Sequence, residues 1–323
     1  MLRSTKLGFA HLGLMTKVAK LYYEQNLKQP EIAARLGISQ SRVSRLITEA
    51  QEAGIVKINI VAPENVYPDI EDELREKLGL RDVVIAHNEE PDEASVQTVI
   101  GIAGANYLET TLAPKDSVGI SSWSATLLSV ADAMSGRFAR AKEVVQLQGG
   151  VGNARAQALA TRLTDRFARL TGAEPRFLPA PGLVGSREVR DALLSDNYLQ
   201  ETVAAWQKLN VLLLGIGSVE PSPLLSESGN TVSAEDLELL RSEGAIGDVC
   251  SHFFDADGKD VGQFLEERLI GLSRETLKSV PRRVGFAGGL RKVEPIISAA
   301  KGGWINVLVT DSTTAKAMLR QLG

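Results

Sequence analysis

Gln40, Ser41, Arg42, Ser44 and Arg45 set amide, hydroxyl and guanidinium groups within six consecutive positions, with apolar Val43, Leu46 and Ile47 among and after them. Such groups hydrogen-bond base edges and phosphates, so this stretch suits nucleic acid once something buries its apolar side. A second set of candidates lies far downstream. In ISSWSATLL, residues 120–128, a strand ends, small and hydroxyl residues follow and a helix begins. Backbone N–H groups there, with the hydroxyls of Ser122, Ser124 and Thr126 and the small Ala125, form an anion cradle. The same run serves equally as a Ser-capped turn, and Trp123 either walls a sugar ring or packs on a sheet. The Lys-Ser/Thr ending of a nucleotide-binding P-loop is missing.

Other turns extend this set. LQGGVGN, residues 147–153, offers Gln148, Gly149, Gly150 and Asn153, with glycines that let a ligand approach the backbone. LGIGS repeats the device through Gly215 and Gly217. GDVCSHFFDADG carries Asp248, a carboxylate able to accept bonds from sugar hydroxyls, beside Cys250 and Phe253; Cys250 alone reads as a small buried apolar residue. FAGGLRK places Arg291 and Lys292 at a helix start, where cations oppose the helix dipole and an anion is expected nearby. In TDSTTA, Asp311 stands at a strand tip and Ser312 is expected as the N-cap.

Catalysis and metal chemistry find little support. Asp248, His252 and Asp255 form the one carboxylate–histidine cluster within a single loop, so no enzyme is expected. Three scattered histidines and one cysteine give no metal-ligand spacing and no internal disulfide, and neither a metal nor a cofactor is expected.

The elements that must position these residues follow from periodicity. In residues 29–47, Ile32, Ala33 and Leu36 share a helical face, Gly37 makes the turn, Ile38 fills the space between helices and Ser39 caps the next helix. Ala33, glycine four positions later and Val43 six beyond that have the spacing of a helix-turn-helix. Residues 14–26 form a supporting helix, and IVKINIV after Gly54 alternates like a half-buried strand, giving a wing with Lys57 as a phosphate contact. Residues 62–80 read as a linker containing a charged helix. Beyond residue 81, apolar strands, residues 245–250 among them, alternate with helices, one of them spanning residues 187–209, the pattern of a doubly wound, mostly parallel Rossmann-like α/β domain whose ligands bind beyond the carboxyl ends of the strands.

A chain of 323 residues accommodates about two domains. The expected division is a winged helix-turn-helix DNA-binding domain at 1–62 and, at 63–323, a linker helix with an effector-binding and oligomerisation domain. Through residue 62 there are nine Lys/Arg against four Asp/Glu, a net of +5, so the remainder carries -9 of the overall -4. A basic head on an acidic body suits a polyanion at one end. No stretch approaches a membrane span, and a cytoplasmic location without a membrane partner is expected.

The head motif PEIAARLGISQSRVSRLITEAQEAGIVKINI, followed in order by GISSWSATL, VVQLQGG, LLLGIGS, GDVCSHFFDADG, AGGLRKVEPI and NVLVTDSTTA, resembles the SorC family of bacterial sugar-responsive transcription regulators over nearly the full length. The resemblance implies an effector domain like sugar-phosphate isomerases and deaminases, homotetramers on operator DNA and a phosphorylated sugar, or a related sugar or polyol, as effector. It also implies that Ser124, Ala125 and Thr126 cradle the phosphate, Lys292 pairs with it and Asp248 binds hydroxyls. Where some members carry a lysine that bonds covalently to an aldehyde sugar, this chain has Gln148, so binding here is expected to be reversible.

Overall fold

The computed structural model describes residues 8–58, 61–90, 92–150, 154–220 and 232–323, with side chains of 154–160 excepted. Two compact units divide the chain at Met1–Ala62 and Pro63–Gly323.

The first unit is built from α1 (Phe9–Ala19), a wider helical turn at Lys20–Glu24, α2 (Gln29–Leu36) and α3 (Gln40–Glu52). Met15, Val18, Leu21, Ile32, Val43, Leu46 and Ala50 meet in one apolar core. Gly37 ends α2 with φ +65°, a left-handed conformation that a side chain would strain, and Ile38 N–H closes the turn on Ala33 O at 3.1 Å. Ser39 then caps α3 by accepting from Arg42 N–H. The expected wing differs: Ile55–Ile58 and Val61 carry no strand, while Asn59 and Ile60 lie outside the described residues.

The second unit opens with α4 (Pro68–Leu78), which is docked on the body and is not a free linker. Leu74 and Leu78 enter its core, and Glu71 Oε1 accepts from Ile85 N–H at 2.9 Å on the outer edge of β1 (Asp82–Ala86). That bond satisfies an edge amide that no strand covers. At the start of α4 the Tyr67 hydroxyl meets His87 Nδ1 at 2.6 Å. There follow α5 (Glu93–Thr111), β2 (Ser117–Ile120), α6 (Ala125–Ala133), β3 (Glu143–Gln146), α7 (Ala154–Thr171) and β4 (Glu174–Arg176). Next come α8 (Arg187–Leu194), α9 (Asn197–Trp206) and β5 (Val211–Gly215).

The chain then leaves the main sheet for β6 (Gly217–Ser218), α10 (Ala234–Ser242), β7 (Gly247–Val249), β8 (His252–Phe254), β9 (Asp260–Val261), α11 (Gln263–Glu266) and α12 (Arg274–Ser279). It returns through β10 (Arg282–Phe286), α13 (Val293–Lys301), β11 (Val307–Asp311) and α14 (Ser312–Leu322).

The main sheet has seven parallel strands in the order β1-β11-β10-β5-β2-β3-β4. Alternate residues of one strand enter opposite layers: Leu212 and Leu214 join the cluster under α4, α9 and α13, and Val211 and Leu213 the cluster under α5, α6 and α7. Burial on both faces is why these strands read as unbroken apolar runs. The sheet's order reverses between β2 and β5, the place where such folds leave a crevice.

Three expectations need correction. Residues 245–250 do not join the parallel sheet; β7 pairs antiparallel with β6 and β8 in a separate four-stranded sheet. Residues 187–209, expected as one helix, break at Asp196, whose carboxylate caps α9 by accepting from Tyr198 N–H at 2.8 Å. Asp311, not Ser312, is the N-cap of α14, accepting from Thr313 and Thr314 N–H.

Candidate functional site

In the first unit, α3 buries Val43, Leu46 and Ile47 and exposes Gln40, Ser41, Arg42, Ser44 and Arg45 along one face. Among the described residues neither Arg42 nor Arg45 has an ion-pair partner, so both guanidinium groups are free for an outside anion. Lys57 is exposed too, beyond the end of α3. Helix α3 is braced from behind by His11 Nε2 against Glu49 Oε2 at 2.8 Å and by Gln51 Nε2 donating to Tyr23 Oη at 2.8 Å. Those bonds leave the polar face untouched.

In the second unit, the segments following β2, β3, β5 and β10 surround a cleft of about 570 Å³. Trp123, Ser124, Ala125 and Thr126 line it at the start of α6, with Ser124 capping that helix by accepting from Leu127 N–H at 3.2 Å. The cap leaves the first amides of α6 as the positive end of the helix. Gln148, Gly215, Gly217, Asp248, Cys250 and Lys292 line the same space. Five segments far apart in sequence thus converge.

The polar geometry of the cleft is specific. Asp248 Oδ2 accepts from Ser251 N–H at 3.0 Å, and Lys292 Nζ donates to Ile216 O at 2.9 Å. Burial raises the Asp248 carboxyl above its ordinary range, opposed by the Lys292 charge, and burial lowers the Lys292 ammonium, opposed by Asp248. Each charge therefore helps the other to remain ionised. Among the described residues, two polar atoms on lining residues have no partner: Trp123 Nε1, a donor, and Gln148 Oε1, an acceptor, are both buried and unsatisfied. Unpaired buried groups are costly, and a donor and an acceptor left open on lining residues fit a ligand bearing hydroxyls.

Gly217 lies opposite Asp248 on neighbouring strands, and a Cβ there would land on the Asp248 carboxylate. Cys250 and Ser251 form the two-residue turn between β7 and β8 with φ of +53° and +62°, a conformation that favours glycine or asparagine. Burial pushes the Cys250 thiol up, and the Asp248 charge adds to this, so it stays protonated and is no nucleophile.

Several sequence candidates stand elsewhere. Ser122 is buried and spends its hydroxyl on Gln148 O at 3.1 Å, fixing the loop behind the cleft. Gly149 does not line the cleft: its N–H bonds Ile270 O, and its Cα faces the Pro181 carbonyl at a distance no side chain would permit. Gly150 is buried outside the lining, and Asn153 lies outside the described residues. Phe253 packs with Leu240 and Leu265 in a satellite core. Conversely, Glu93, Val96, Gln97 and Ile100 of α5 form a wall that the sequence reading missed, as did Ser121, Ser251 and the Gly288–Gly289 turn. Positions 93, 96, 97 and 100 have one-face helical spacing, a signal present in the sequence but not distinguishable there from an ordinary buried face. Among the described residues no group of three or more metal-ligating side chains occurs, and no helix is long and apolar enough to cross a membrane.

Residues 66–320 match the family described as "Putative sugar-binding domain", and residues 16–53, spanning most of α1 to α3, match sigma-70 region 4. The deoxyribonucleoside regulator of Bacillus subtilis (strain 168) is 32% identical over 96% of this chain and 98% of its own length. The transcriptional regulator LsrR of Escherichia coli O139:H28 is 33% identical over 97% of this chain and 96% of its own. The crystal structure of the full-length sorbitol operon regulator SorC from Klebsiella pneumoniae is 29% identical, with a TM-score of 0.71 over 96% of this chain and 99% of that one. These relatives are transcription regulators, not enzymes. A helix-turn-helix with an unpaired basic face, joined to an α/β domain with a polar strand-end cleft, completes the correspondence: the chain belongs to the SorC family of sugar-binding transcriptional regulators.

Proposed function

We propose that this regulator is a repressor of a carbohydrate catabolic operon, released from its operator by reversible binding of a sugar phosphate, or a related sugar or polyol, in the strand-end cleft. Helix α3 enters the DNA with Gln40, Ser41 and Ser44 toward base edges and Arg42 and Arg45 toward bases and phosphates, while Lys57 adds a phosphate contact. In the cleft, Ser124, Ala125 and Thr126 present the amide end of α6 to an anion, Lys292 supplies a cation and Asp248 accepts from hydroxyls. Trp123, Gln148, Gly215, Gly217 and Cys250 shape the rest. The assembly is a homotetramer working in the cytoplasm, where two-fold pairs of heads match a repeated operator.

The observation that carries the effector reading is the open pair on lining residues, Trp123 Nε1 and Gln148 Oε1, beside the half-buried Asp248 and Lys292. Gln148 has no amine to condense with an aldehyde, so binding is reversible. The deoxyribonucleoside and sorbitol regulators suggest pentose and hexitol derivatives as the first compounds to try. The test is a thermal-shift screen of the full chain against sugars, polyols and their phosphates. A stabilising compound whose effect disappears in Lys292→Ala supports the site; a full set of compounds without any shift removes it.

A further inference from the structure

We propose that Glu93 is a built-in stand-in for the anionic end of the effector, held on Arg291 across the mouth of the cleft and displaced when a phosphorylated ligand enters. This deepens the cleft assignment made above and rests on it. The two residues come from opposite walls, Glu93 from the first position of α5 and Arg291 from the short turn at Leu290–Lys292. Arg291 Nη2 reaches both carboxylate oxygens of Glu93 at 3.4 Å, and both side chains line the cleft.

Arg291 and Lys292 are consecutive cations just ahead of α13, where the helix dipole disfavours positive charge. The field of Arg291 acts with burial to lower the Lys292 ammonium, so the two compete for counter-charge. Asp248 faces Lys292 inside the cleft, and Glu93 bridges Arg291 at the rim. That rim bond is the weaker hold, because Glu93 is 68% and Arg291 66% exposed and exposed pairs gain little. A phosphate can take the guanidinium in bidentate fashion, with charge-assisted bonds shorter than 3.4 Å. A neutral sugar offers no such exchange. Released Glu93 keeps a favourable place at the positive end of α5, beside the Asp92 cap, so the displacement leaves the helix intact. Gln97, one turn on along the same wall, lines the cleft and has no hydrogen bond among the described residues.

The experiment is isothermal titration of the full chain, Glu93→Gln and Arg291→Gln against ribose, 2-deoxyribose and sorbitol, each paired with its terminal phosphate. Glu93→Gln should tighten the phosphorylated member by about two- to five-fold and Arg291→Gln loosen it by a similar factor, with the neutral member unmoved. Opposite signs are what a merely structural role of the pair does not produce. Shifts of the same sign, no shift in either variant, or wild-type binding of the neutral and phosphorylated members with equal affinity would each overturn the stand-in. If the wild type binds none of the six compounds, the cleft assignment itself falls, and the stand-in with it.

Discussion

Gly217 and Asp248 show how closely one residue's chemistry depends on the absence of another's side chain. With a Cβ at 217 occupying the carboxylate's place, Asp248 must turn away from the cleft. Gly217→Ala is therefore expected to abolish effector-induced thermal stabilisation while costing about 1 to 3 kcal/mol of stability, read from denaturant unfolding with and without ligand. Survival of the ligand shift would mean that Asp248 is not a contact. On α3, Arg45→Ala should weaken operator binding by about 1 to 3 kcal/mol and relax selectivity at one position, whereas Lys57→Ala should weaken all sequences alike. Quantitative gel shifts on a small set of operator variants separate the two behaviours. At this scale the sequence announced residues whose type is unusual for a turn, such as Asp248, Lys292 and Trp123. It did not announce Glu93 or Gln97, because a cleft wall made from one helix face exists only after α5 has packed against the sheet. Gly149 misled for the opposite reason: its missing side chain makes room for the Pro181 carbonyl, not for a ligand.

Helix α3 is legible as an element because its determinants are local. Gly37 turns the chain, Ser39 caps, and Val43, Leu46, Ile47 and Ala50 repeat at helical spacing. Ser39→Ala should cost about 1 kcal/mol by removing the hydroxyl that Arg42 N–H shares with Ser39 O, measurable by thermal unfolding of the full chain's first transition. The small sheet was less legible. Residues 245–250 read as another parallel strand because so short a segment does not reveal its partner, and the β7–β8 hairpin turns on Cys250 and Ser251, which lack the usual asparagine–glycine signature. That sheet is tied down by a charged cluster beneath it. His252 Nδ1 meets Glu266 Oε2 at 3.0 Å, Arg274 Nη2 donates to the same oxygen at 2.9 Å, and His252 stacks on Trp304. Burial raises the Glu266 carboxyl, but His252 and Arg274 outweigh it and hold it at about 2, against 4.5 in an unperturbed chain. Being depressed in the folded state, this carboxylate contributes its full stabilisation above pH 4.5 and loses it as the pH falls toward about 2. Glu266→Gln should cost about 1.5 to 3 kcal/mol at neutral pH and flatten the acid limb of a stability-versus-pH curve. An unchanged acid limb would assign the acid sensitivity elsewhere.

For the whole molecule, the charge asymmetry and the alternation of strands and helices indicated a basic helical head and an α/β body, and the body's seven parallel strands match that reading. The strand order was not legible, because it depends on which helices cover which face, and so the α5 wall and the docking of α4 on β1 emerge only from the fold. The proposed effector and DNA sites lie in separate compact units, so the proposed regulation requires a coupling free energy: the ligand must bind more tightly to the arrangement of heads that DNA does not. The most direct measurement is the affinity of the full chain for DNA selected by the chain itself from a genomic library, titrated by fluorescence anisotropy with and without the compound that stabilises the cleft. The account predicts that saturating ligand weakens DNA binding by about five-fold or more, and that Gly217→Ala removes this effect while leaving ligand-free DNA affinity in place. An identical DNA affinity with and without bound ligand would contradict it.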